Sequence, residues 1–108
     1  MKDVSREVLL SFWKVHILHH AGEEPLHGHW MLNELREHGY HISPGTLYPL
    51  LHRMERLGWL KGKVDRRAGK RARKDYRLTA HGRKVLGAIR EQLEELYREV
   101  IVEARDRK

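Results

Sequence analysis

Histidine is the residue through which this chain could most readily do chemistry. There are nine, and His16 and His20 stand one helical turn apart with His19 on the neighbouring line. Two imidazoles at i,i+4 on one helix face can hold zinc or nickel. His27 and His29 follow after a short turn. Cysteine is absent, which removes disulfides, thiolate zinc sites and a sulfur nucleophile together. No carboxylate cluster completes a four-ligand cage in the sequence, and helix-end histidines more often satisfy backbone carbonyls or face water. The reading is therefore no metal, with His16, His19 and His20 as the candidate ligands should one be bound. Catalysis has less support still. There is no HExxH, Gly-rich phosphate loop or nucleophile elbow, so an open metal position, an activated water and a pocket for them have no visible source. The chain reads as a non-enzyme with no cofactor.

A second group of side chains has a clearer use. Of 22 Lys and Arg residues, nine lie between Lys61 and Arg77, opposed only by Asp65 and Asp75. Outside that segment 13 basic residues balance 13 acidic ones, so the whole formal charge of +7 sits in 17 residues. A basic focus on a neutral body suits a polyanion. The 108 residues make one domain, near the lower end for a self-sufficient core. No apolar run approaches the ~20 residues that span a bilayer and no signal peptide is visible, so a cytoplasmic location and no membrane partner are expected.

The element best built to present such groups runs from Ile42 to Trp59. Ser43 is a good N-cap, and Pro44 at the first helical position has no N–H to waste. Ile42 and Leu47 are placed for a hydrophobic staple. Gly58 is placed to turn left-handed, and Trp59 to fold back on Met54. At 100° per residue Leu47, Leu50, Leu51, Met54 and Leu57 form one apolar arc. Gly45, Tyr48, Pro49, His52 and Arg56 point the other way, flanked by Thr46 and Arg53, with Glu55 the lone acid at the edge. Free N–H groups at the helix start suit a phosphate. Pro49 costs roughly 3 kcal/mol in a helix interior. The carbonyl it crowds belongs to Gly45, the most adaptable residue, so a slight kink is expected rather than a break.

This stretch, SPGTLYPLLHRME followed by GW, resembles the PadR family of transcriptional regulators, together with Leu26-His27-Gly28 before it and DYRLTAHGR after it. The likeness covers about residues 8 to 85, and the remaining C-terminal helix is similar to that of the short PadR subgroup. The resemblance implies DNA contact at Ser43, Thr46 and Tyr48, dimerisation through the last helix, and repression as the usual output. It also implies a small planar molecule at the dimer interface as the input, for which Phe12, Trp13 and Tyr97 are the candidates.

The flanking pattern agrees. A helix over residues 3–20 is predicted from Val4, Val8, Phe12 and Val15, widened by Leu9, Trp13 and Ile17, and stopped at Gly22. A second runs from Leu26 or His27 to His38 with Gly39 as its stop, and Gly28 allows another helix close approach. Three residues then lead to Ser43, which makes a helix-turn-helix. Leu60, Gly62 and Val64, then Tyr76 and Leu78, alternate with polar residues as the two strands of a hairpin with a basic tip. Thr79 caps a last helix to about Arg105. There Leu86, Ile89, Leu93, Leu96 and Val100 follow coiled-coil spacing, broadened by Val85, Tyr97, Ile101 and Ala104.

The expected fold is thus mainly α with a small β-hairpin. Residues 1–79 form a winged helix-turn-helix, and residues 80–108 a dimerisation helix packed on the first. The expected function is sequence-specific double-stranded DNA binding by a homodimeric, ligand-responsive repressor on a near-palindromic operator. Ser43, Gly45, Thr46, Tyr48, Pro49, His52 and Arg53 would contact groove and phosphate, while Arg66, Arg67, Lys70, Arg71 and Arg73 hold the strands alongside. Leu86, Ile89, Leu93, Leu96, Tyr97 and Val100 would form the dimer seam. Two alternatives remain: a metal-responsive regulator of the same fold using the clustered histidines, and a non-specific architectural DNA-binding protein.

Overall fold

Among the described residues sixteen apolar side chains, from Trp13 on the first helix to Leu86 on the last, close into one core in the computed structural model. The structure describes residues 5–71 and 73–107, and within these the side chains of residues 68, 70 and 71 lie outside the description. In chain order the elements are α1 (Arg6–Glu23), β1 (Leu26–His27), α2 (Gly28–Glu37), α3 (Pro44–Arg56), β2 (Leu60–Asp65), β3 (Arg73–Leu78) and α4 (Ala80–Tyr97). A π-helical turn, Arg98–Glu103, carries α4 into a last helical turn, Ala104–Asp106.

The helix α1 runs through Gly22 to Glu23 rather than ending at the glycine. It buries Trp13, Ile17, Leu18 and Ala21 and leaves Val8 and Phe12 exposed. Its wide apolar stripe is therefore two faces, one in the core and one left open among the described residues. Val4 lies outside the described residues. The second element is also shorter than its sequence pattern implies: Leu26 and His27 are not helical but a two-residue strand. They pair antiparallel with Tyr76 and Asp75, giving a three-stranded sheet of order β1-β3-β2.

The junctions follow their capping chemistry. Gly39 adopts φ 93° to end α2, and Gly58 adopts φ 80° to end α3. The Trp59 N–H then donates to the Met54 carbonyl at 3.0 Å, the six-to-one bond of a Schellman motif. Ile42 and Leu47 are both buried, as a staple requires. The helix α3 is continuous through Pro49. Leu57 departs from its arc and is exposed.

At the other end of the sheet the Thr79 side chain accepts from the Gly82 N–H at 2.9 Å, and its hydroxyl faces the carbonyls of Gly58 and Trp59. A Cβ on Gly82 would stand 2.2 Å from the Trp59 carbonyl oxygen, so only glycine lets α4 begin this close to β2. One residue, Thr79, separates β3 from α4. Leu86 enters the core and Ile89 packs on it, after which α4 leaves the body. The molecule measures 59 × 32 × 20 Å, with a radius of gyration of 15.8 Å. A compact chain of this length would have roughly 13 Å.

Candidate nucleic-acid interface

The outer face of α3 is polar and open. Ser43, Gly45, Tyr48, Pro49, His52, Arg53 and Arg56 are exposed and Thr46 is half-buried. Ser43 has the extended backbone of an N-cap, but its side chain makes no cap bond. Its hydroxyl donates to Thr46 Oγ1 at 3.3 Å, while the Thr46 and Leu47 N–H groups share the Ser43 carbonyl. The helix start therefore keeps its side-chain cap position unfilled, as a phosphate-binding end does.

Tyr48 is held by a feature outside its own helix. A Cβ built on Gly28 would lie 2.4 Å from Tyr48 Cε1 and 3.1 Å from its hydroxyl, so the ring lies flush on the first residue of α2. The close approach expected at Gly28 is real, and what approaches is this ring. With 44% of Tyr48 still exposed, its phenol is both packed and presented. The first turn of α2 is capped by His27, whose Nδ1 accepts the Trp30 N–H at 3.2 Å. His27 Nε2 faces Arg73 Nη1 at 3.4 Å. Burial first, and the Arg73 guanidinium second, hold this imidazole below its ordinary pKa, which keeps the capping lone pair available.

The lone acid on α3 is turned away from this face. Glu55 Oε1 accepts from Lys74 Nζ at 2.6 Å and Oε2 from the Gly62 N–H at 2.9 Å. Lys74, followed by the Gly62 N–H among the favourable contacts, holds the carboxyl below its usual range, and Glu55 raises the lysine in return. The carboxylate thus ties α3 to both strands of the hairpin and is neutralised where it stands. Lys74 belongs to the basic run of the hairpin, but its ammonium faces an acid 19 residues away in the chain and across a turn rather than solvent.

The remaining hairpin charges divide by register. Lys61 opposes Arg77, Lys63 opposes Asp75 and Asp65 opposes Arg73. Directly opposed side chains share a face, so these six form the outer surface, while Leu60, Gly62 and Tyr76 face the core. Val64, expected on the core face, is 48% exposed because the strands run past the body there. Between the strands, residues 66–71 form a 3-10 turn broken at Gly69 with φ 60°. Asp65 Oδ1 accepts the Arg67 N–H at 3.0 Å, and Arg66, Arg67 and Arg73 are exposed. Lys70 and Arg71 are side chains outside the description.

Of the seam residues, Leu86 belongs to the protomer's own core and Ile89 is half-covered. Leu93, Leu96 and Tyr97 on the part of α4 that leaves the body, and Val100 on the π-helical turn that continues it, are 40–56% exposed. Phe12 is likewise outward. Trp13 is not: it is buried edge-on to Tyr40, and its indole N–H has no hydrogen-bond partner among the described residues. His16 and His20 face the end of α2, whereas His19 turns to Glu23 at 3.1 Å and to Arg90. No helix among the described residues is long and apolar enough to cross a membrane.

A helix-turn-helix with a basic hairpin beside its second helix is the architecture of a winged-helix transcriptional regulator. Comparison with known proteins agrees. The model of the transcriptional regulator PadR-like family matches residues 17–88. Transcriptional regulator Rv3488 of Mycobacterium tuberculosis is 49% identical over 96 residues, spanning 89% of each chain. Two solved structures show the same fold. A PadR family transcriptional regulator from Eggerthella lenta is 31% identical with a TM-score of 0.74, covering 91% of this chain and 89% of the other. A PadR-like transcription factor from Bacteroides fragilis is 26% identical with a TM-score of 0.79, covering 92% of this chain and 96% of the other. The chain belongs to the PadR-like family of transcriptional regulators, and it is not an enzyme.

Proposed function

We propose that two copies of this chain bind a near-palindromic DNA operator and repress transcription from it. The observation that carries this reading is the outer face of α3, polar and free of unpaired acid because Glu55 is bonded to Lys74 and Gly62. Such a face can enter a major groove with Ser43, Thr46 and Tyr48 at the phosphates and base edges, while Pro49 meets a thymine methyl and His52 and Arg53 follow along the groove. The hairpin cations Arg66, Arg67, Lys70, Arg71 and Arg73 then supply affinity with little sequence choice. Residues 1–79 act as the reading unit and residues 80–108 as the dimerising one. Support for a dimer comes from the bare apolar positions Leu93, Leu96, Tyr97 and Val100. Two α3 helices spaced about 34 Å apart would reach successive major grooves. A planar effector at the dimer interface would lie against Phe12 and Tyr97, and must favour one helix spacing over another to change occupancy.

Footprinting of the purified chain on the DNA upstream of its own gene tests this reading. Protection of two half-sites about one helical turn apart is the expected result. Even protection across unrelated sequences would instead make it an architectural DNA-binding protein.

A further inference from the structure

Two i,i+4 pairs confront each other beside the helix-turn-helix: His16 and His20 on α1, and Glu34 and His38 at the end of α2. One ring nitrogen from each of His16, His20 and His38 lies within 4.8 Å of the others. Glu34 Oε1 sits 3.6 Å from His20 Nε2 and 3.3 Å from His38 Nε2. We propose that His16, His20, His38 and Glu34 form a binding site for a divalent late first-row transition cation, of which zinc is the reference.

The geometry is near what such an ion needs. Around tetrahedral zinc, bonds of about 2.0–2.1 Å place ligand atoms roughly 3.3 Å apart. The carboxylate oxygen already stands at that distance from His38, and the remaining nitrogens close the gap by rotation about side-chain torsions. The donor set is three nitrogens and one oxygen. It suits zinc, nickel and cobalt, and offers too few oxygens for calcium or magnesium.

The surroundings support ligation rather than a chance meeting of surface groups. His16 Nε2 contacts the Tyr40 hydroxyl at 3.2 Å, and the His20 ring stands edge-on to Trp30 at 5.3 Å. A polar contact such as that to Tyr40 orients a ligating imidazole. Burial, followed by the neighbouring imidazoles, pulls the His16 pKa below its ordinary value, and burial also leads for His20. For these two rings the neutral form, the one that binds metal, is thereby favoured. A simple histidine–carboxylate pair would need only one of the three rings.

A rival group shares a residue with this one. His19, His20 and Glu23 also converge, but Glu23 is 63% exposed and all three lie on α1 alone. The proposed site instead bridges two helices, and His38 precedes the cap of α3 by only five residues. An ion there would fix the turn that sets α3, a consequence that rests on the DNA-binding reading above, whereas the site itself does not.

The test uses the full chain, stripped by chelator and titrated with zinc by calorimetry and with cobalt by visible absorption. One ion per protomer is expected, with the intense cobalt bands of tetrahedral coordination. His38→Ala and Glu34→Gln should each weaken zinc binding by about tenfold or more, while His19→Ala leaves it within about threefold. His38 is half-exposed, and circular dichroism of the metal-free variants should match the parent. Zinc affinity unchanged in both His38→Ala and Glu34→Gln, or lost in His19→Ala, would overturn the assignment. Gel shifts of the same variants in chelator keep the two readings apart. DNA binding that survives while zinc binding fails refutes the metal site alone, and absence of DNA binding in the parent refutes only the operator reading.

Discussion

At the scale of single residues, the surface proposed to meet DNA depends on a missing methyl group. Tyr48 rests where the Cβ of any other residue at position 28 would stand. Gly28→Ala should therefore push the ring off α2. The clash is with the far end of a flexible side chain, so the stability cost should stay near 1 kcal/mol, at the low end for overpacking. Operator affinity should fall about tenfold, the scale of one hydrogen bond to a charged group. Matched thermal melts and gel shifts check both halves, and a large loss of stability would show that the ring cannot yield. Tyr48 and Gly28 were each legible in the sequence as special, one on the outward face of α3 and one as a site of close approach. Their contact was not, since 20 residues separate them and neither pattern names a partner. The same holds for His38, which i,i+4 spacing ties to Glu34 but which nothing local ties to His16.

At the scale of elements, Glu55 joins α3 to the hairpin. Its folded pKa is depressed, so its contribution is present above the ordinary glutamate value of 4.5 and is lost as pH falls through the lower folded value. That of Lys74 is raised, so its contribution is present below 10.5 and is lost as pH rises through the higher folded value. Glu55→Gln should remove both flanks of this dependence. It should cost about 1 kcal/mol at neutral pH, a modest figure because both side chains keep about a third of their surface in water. Urea midpoints from pH 3 to neutrality, at roughly unit intervals, would show the acid flank in the parent only. The hairpin tip makes a separate prediction. Changing Arg66, Arg67, Lys70 and Arg71 together to Ala should weaken binding to all DNA and flatten its salt dependence by roughly 0.9 for each phosphate that is no longer neutralised. An unchanged slope would remove the tip from the interface. The helices and the hairpin were readable because their periods and caps are local. The strand β1 was not, because two residues carry no period and Leu26–His27 is extended only through pairing with Tyr76 and Asp75. Leu57 and Val64 fit their periods yet stand exposed, because period assigns a face and cannot say where the body ends.

At the scale of the whole molecule, the protomer is a small body with a shaft. Leu93, Leu96, Tyr97 and Val100 lie along the shaft without cover, and exposed apolar positions at coiled-coil spacing call for a second helix. Leu93→Lys with Leu96→Lys should give monomers by sedimentation and poor operator binding, with the melting of the body little changed. A parent already monomeric at micromolar concentration would dispose of the seam. The length of the last helix was legible in the sequence, but the point where it leaves the body was not, since Leu86 satisfies the same spacing while belonging to the protomer's own core. The joint at Thr79 then matters beyond stability. With its side chain bonded to Gly82 and set against the Gly58 and Trp59 carbonyls, and Gly82 seated against Trp59, the shaft has no slack where it meets the sheet. In the dimer proposed above, a twist of one shaft against the other would pass directly into the sheet at this joint, so a ligand bound far along the shafts would act on the proposed DNA face without touching it.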